Sequence, residues 1–234
     1  GMIAAVVLAR YFTLTRRMVA PSIALVIFFA LSAMQFGLAL AASFDAKFSG
    51  ILITISLLTT LLLCLYYGWF RVPFAAALIA IGVFVSLFSL IGNLENVDGE
   101  IWDVFLLTAD GPFALITILV GIATFVVAMR FDMSDPHRLT RRSATGFWLH
   151  VIAAPAVVNT VALSLLDFDS FAAEMVLIGF ICFIALMAIV IDRRSFLVSG
   201  VGYIVALSIT LIEGQAFTVI FILGLGLILL GAKW

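Results

Sequence analysis

Stretches of bilayer length and apolar character dominate this chain. Hydropathy divides it into eight, at about 20–42, 48–68, 73–92, 112–129, 146–166, 171–191, 195–212 and 215–232. A hydrocarbon core about 30 Å thick is crossed by about 20 helical residues. Inside it every backbone N–H and C=O must find a partner within the protein, so segments of this length have to be helices. Little chain is left for anything else. Hydrophobic residues make up 65% of the sequence and charged residues 11%, against about 45–50% and about 25% in soluble domains. The predicted fold is all-α: a single polytopic membrane domain over 1–234, a bundle of eight transmembrane helices.

Local punctuation agrees with these limits. Pro21, Pro73 and Pro112 each fall in the first turn of a span, where a missing N–H costs nothing. Trp69, Trp148 and Trp234 lie at span ends with Tyr66 and Tyr67, as expected of side chains at headgroup level. Trp102, with Ile101, Phe105 and Leu106, suggests a short surface helix in the long connection 93–111. Residues 2–9 are apolar but too short to span. Arg10 and Tyr11 follow them instead of a small-residue cleavage site, so an interfacial or frayed N-terminal helix is expected. Cys64 and Cys182 both lie inside apolar runs and suggest neither a disulfide framework nor a metal site.

Charge sorting tests the count independently. With eight spans, Arg10, Arg16, Arg17, Arg71, Arg130, Arg138, Arg141, Arg142, Arg193, Arg194 and Lys233 fall on one side, eleven of the twelve basic residues, and only Lys47 on the other. The positive-inside rule makes the basic side cytoplasmic, which puts both termini in the cytoplasm. Ten of the thirteen acidic residues take the opposite side; Asp132, Asp135 and Asp192 share the basic one. Adding or removing one span would scramble this sorting from that point on.

The chain also shows signs of an internal repeat. Thr15-Arg16-Arg17 precedes the first span and Thr140-Arg141-Arg142 the fifth, and each is followed by four spans. The repeats would run over 15–129 and 140–234, joined by a cytoplasmic connection at 130–146. An even number of spans per half makes them parallel, related by an axis along the membrane normal. In the connection, Ser134-Asp135-Pro136 has the form of an N-cap with proline following. It predicts a short basic helix carrying His137, Arg138, Arg141 and Arg142 along anionic lipids of the inner leaflet. Nucleic acid is not an expected partner, because the same arginines already serve topology.

Polar groups at bilayer depth are few, and such residues are functional candidates by default. His150 lies about one turn into the fifth span, and Pro155, the only mid-span proline, should kink that helix. Asn159 lies one turn further, and Gln35 occupies nearly the equivalent place in the first span. Gln35, His150 and Asn159 are the candidate lining of a polar path; two amides at matched depth would equally serve as an interhelical clamp. Glu174, with Asp167 and Asp169, forms an acidic patch on the outer face. Ala33, Gly37 and Ala41, spaced by four, form a small-residue packing seam, and Ser195 with Ser199 another.

The run Asp135-Pro136-His137-Arg138, Thr140-Arg141-Arg142, Phe147-Trp148-Leu149-His150 and Ala153-Ala154-Pro155 resembles a segment of uncharacterised bacterial inner-membrane proteins reading roughly FWLHLLAAPLIVH. The likeness is close over about twenty residues. Asn159 stands where that pattern has a second histidine. The resemblance implies a bacterial cytoplasmic membrane and carries no activity.

Two functional readings follow. The first is a small transporter or channel-like protein for a small neutral or weakly polar solute. The alternative is a non-transporting module (assembly factor, sensor or accessory subunit) that binds partner membrane proteins or a second copy through apolar faces. An enzyme is not expected, since no Ser/His/Asp set, HExxH, interfacial carboxylate pair or phosphate-cradling glycine loop is present. No catalytic residue, metal site or cofactor is expected either; neither lysine lies within a span to carry retinal.

Overall fold

A computed structural model describes residues 1–43, 48–95, 107 and 112–167, together with 170–173, 175–177, 179, 180, 183 and 186. The chain divides into two units, Gly1–Phe168 and Asp169–Trp234. Among the described residues the structure is helical with no strand. Five helices are long and apolar enough to cross a membrane, which makes this a multi-pass membrane protein. They are α2 (Val19–Ser43), α3 (Phe48–Phe70), α4 (Pro73–Glu95), α5 (Phe113–Met133) and α6 (Arg141–Asp167), preceded by a shorter α1 (Met2–Ala9). They correspond to the first five expected spans. In the second unit the described residues from 171 onward are helical. The seventh and eighth spans, with Ser195 and Ser199, lie outside the described residues.

The N-terminal segment is helical, as expected, but not frayed: α1 continues as a π-helical stretch, Arg10–Thr15, and packs on α2. Ala5 and Ala9 are fully buried in a cluster with Val26, Phe29, Ala30, Tyr66 and Phe70. Two alanines on one face bring the α1 backbone close, which hydropathy alone does not register. Thr13 and Ser22 are bonded through their hydroxyls at 2.9 Å, pinning the π-helical stretch to α2.

Small residues set the next crossing. Ala33, Gly37 and Ala41 are all buried, and a Cβ on Gly37 would sit 3.0 Å from the Ile55 Cα. The backbones of α2 and α3 therefore nearly touch, as small-residue seams allow. Packing then runs from α3 to α4, from α4 to α6 and from α6 to α5, with α4 meeting α5 less than α6.

Both ends of the α5–α6 hairpin run longer than hydropathy suggests. α5 continues four residues past 129 and takes in Arg130 and Asp132; α6 begins at Arg141 rather than 146. Between them the expected basic helix does not form. Ser134 closes α5 instead, its Oγ donating to the Phe131 carbonyl at 2.7 Å. Asp135 caps the approach to α6. Its carboxylate accepts from the Thr140 hydroxyl at 2.7 Å and from the amides of Thr140 at 2.8 Å and Leu139 at 3.1 Å. The two Thr-Arg-Arg stretches also take different conformations: Arg17 stands outside α2 with φ 52°, whereas Arg141 and Arg142 open α6.

The Thr140 hydroxyl, followed by the Thr140, Leu139 and Ser143 amides, holds the Asp135 carboxyl below its ordinary value of 3.8. A carboxyl lowered in the fold stabilises it above its unfolded value and loses that contribution as pH falls through the folded one. Asp135→Asn should therefore melt earlier than wild type in detergent near neutral pH. The difference should hold down to about pH 4 and then close. Melting curves against pH check this; a difference unchanged into the strongly acidic range would contradict it.

Candidate functional site

Glycines and hydroxyls allow α5 and α6 to approach closely. A Cβ on Gly121 would stand 3.0 Å from the Ala156 Cβ, and one on Gly146 would collide with the Asp132 carboxylate. Thr117, Thr124, Thr160 and Ser164 are buried nearby. Thr117 and Thr160 donate to carbonyls of their own helices, those of Phe113 and Ala156. Such bonds satisfy a buried hydroxyl within its own helix.

His150 and Asp132 do need each other. His150 is completely buried, and its Nε2 lies 3.0 Å from Asp132 Oδ2. The ring also stands edge-on to Phe125, with centroids 5.4 Å apart. Asp132 keeps 15% of its side chain exposed. The pair thus has one apolar wall and one partly open oxygen-bearing end. Gly146 makes it possible: it lies one turn before His150 on α6, and its missing Cβ is the space that the carboxylate occupies.

The remaining sequence candidates are more dispersed. Gln35 is exposed on α2, and Asn159 is half-buried on α6. α2 has no broad interface with α6, so the two amides are not brought together. Asn159 Oδ1 is nevertheless buried and has no hydrogen-bond partner among the described residues. Pro155 lies inside α6 as expected and borders a cavity of about 160 Å³ that Thr117, Thr124, Gly121 and Ile152 also line. Gln35, His150 and Asn159 line neither this cavity nor the two others described below. Asp167 is the last residue of α6; Asp169 and Glu174 lie outside the described residues.

A larger groove of about 580 Å³ lies between α4 and α5, lined almost wholly by apolar side chains such as Val83, Leu87, Leu119 and Val127. Among the described residues no group of three or more His, Cys, Asp and Glu side chains could hold a metal ion. Sequence reasoning does not find Asp132 or Gly146. Asp132 follows an arginine past the apolar run and so reads as loop, although a helix continuing one more turn carries it to His150.

Comparison with protein-family models, curated proteins and solved structures gave no match. Chemically, the pair can hold a proton in a hydrogen bond at the membrane boundary and exchange it through the exposed edge of Asp132.

Gly146→Ala should push the carboxylate off His150 and lower the melting temperature, at about the 1.5–3 kcal/mol of a charged hydrogen bond. Combined with Asp132→Asn it should cost little more than either change alone, because both remove one interaction. Gly68→Ala is the control: nothing lies within 4 Å of its Cβ position, so it should be neutral or gain up to about 1 kcal/mol of helix propensity. Additive losses in the double variant would contradict the coupling.

Proposed function

We propose that this chain is a small transporter or channel-like protein of a bacterial cytoplasmic membrane, passing a small neutral or weakly polar solute, with both termini cytoplasmic and no reaction of its own. The His150–Asp132 pair supports this reading most directly. A buried histidine–carboxylate pair is a poor way to hold two helices together, since well-packed apolar residues usually do as well or better. Ionisable groups inside membrane helices mark solute and proton pathways. Further along α6, the buried Asn159 Oδ1, which has no hydrogen-bond partner among the described residues, adds a second polar group. Gln35 is not needed for the reading, being exposed on α2.

The groove between α4 and α5 favours the second reading, a non-transporting module. Its lining offers almost nothing polar to a solute and matches an apolar helix of a partner or of a second copy.

Stopped-flow light scattering on proteoliposomes separates the two. With glycerol or urea as the permeant, protein-containing vesicles should respond several-fold faster than protein-free ones. Asp132→Asn should change the rate and Gly68→Ala should not. Equal rates with and without protein overturn transport, and a stable co-purifying membrane partner would then support the module.

A further inference from the structure

A cavity at the basic end of the bundle belongs to none of the features above. It has a volume of about 330 Å³ and is bordered by the π-helical stretch, the first turns of α2, α4 and α6, and the turns before them. That size lies within the range of small-molecule sites, roughly 300–1,000 Å³. Two of its lining side chains are cationic, Arg17 and Arg141, and none is acidic.

The surroundings add to the positive field. α2 and α4 both begin at this cavity, with Val19 and Pro73 in its wall, and the start of a helix carries partial positive charge. The start of α6 adds less, because the Asp135 carboxylate already occupies the Leu139 and Thr140 amides. Arg141 Nη1 donates to the Phe70 carbonyl at 3.4 Å, which uses one of five guanidinium N–H donors. No carboxylate is bonded to it among the described residues. Other parts of the wall are apolar and aromatic: Ile23, Phe74 and Trp148 line it, with the Phe74 and Trp148 rings edge to face at 4.7 Å. Two cations and a pair of aromatic rings in one cavity, at the end of membrane-spanning helices, match a phosphate joined to hydrocarbon.

We propose that this cavity binds the headgroup of an anionic phospholipid, its phosphate held by Arg17 and Arg141 and its glycerol and upper acyl chain lying against Phe74 and Trp148. This site differs from general attraction of a basic surface to anionic lipid. It is one pocket with two named cations, and it stands independently of solute passage.

Arg71 and Arg138 provide the internal control. Like Arg17 they are arginines at positive φ in turns, at 49° and 56°, but neither lines the cavity. Purified full-length protein would be titrated with phosphatidylglycerol and phosphatidylcholine, and bound lipid counted by native mass spectrometry. Wild type should retain one phosphatidylglycerol in preference to phosphatidylcholine. Arg17→Gln and Arg141→Gln should each weaken that retention roughly fivefold, the usual effect of one basic residue on anionic lipid. Arg138→Gln and Arg71→Gln should leave it within about twofold. The Arg17→Lys/Arg141→Lys double variant, which keeps both charges, should retain most of the binding and guards against a folding defect in the glutamine variants. Equal losses for all four glutamine variants would assign the effect to diffuse surface charge and overturn the site. Absence of any preference for phosphatidylglycerol overturns it as well. Displacement of the lipid by inorganic phosphate at comparable concentration would reassign the site to a soluble phosphate and overturn the lipid.

Discussion

The bilayer's inability to solvate a polar group governs everything else in this structure. It forces the apolar stretches into helices, and it also disciplines the few polar side chains they carry. Thr54, Thr60, Ser86, Thr117 and Thr160 each donate to the carbonyl four residues back. Such a bond within the helix costs the fold little. A histidine, a carboxylate or an amide cannot be satisfied in this way. His150, Asp132 and Asn159 therefore stand out by the physics of their surroundings as much as by residue type.

Close approach is the second consequence. Helices in lipid have no hydrophobic drive to associate with one another, so contact depends on small residues that let backbones meet. Gly37 does this between α2 and α3, and Gly121 and Gly146 between α5 and α6. Gly146 has a double role: the space that brings the helices together is also the space that admits the Asp132 carboxylate. Packing and chemistry thus depend on the same missing Cβ.

Much of the fold was legible because hydrophobic length and proline placement act locally. α4 begins at Pro73 as the sequence suggests, and Pro112 stands just before α5. The ends were harder to read. The last turn of α5 and the first of α6 carry charges, so they look like loop even though their backbone bonds remain helical. This concealed Asp132 as the partner of His150. The connection was misread for a related reason: Ser134-Asp135-Pro136 has the letters of a helix start, but Asp135 reaches forward to Thr140 and caps the helix beginning there. The α1 segment was too short to register as a span, and its contribution comes from Ala5 and Ala9 packing on α2. Partnership across helices is set by tertiary approach, which no local pattern encodes.

The central claim is that His150 and Asp132 form a buried hydrogen-bonded pair at the membrane boundary. The chain has two histidines, and His137, in the connection, is exposed. Nitrogen-15 NMR of histidine-labelled protein in nanodiscs therefore reports on the pair almost directly. One imidazole should show an Nε2–H that exchanges slowly with water, and Asp132→Asn should alter that signal while leaving the other histidine unchanged. Two imidazoles that both exchange freely, with spectra indifferent to Asp132→Asn, would contradict the account.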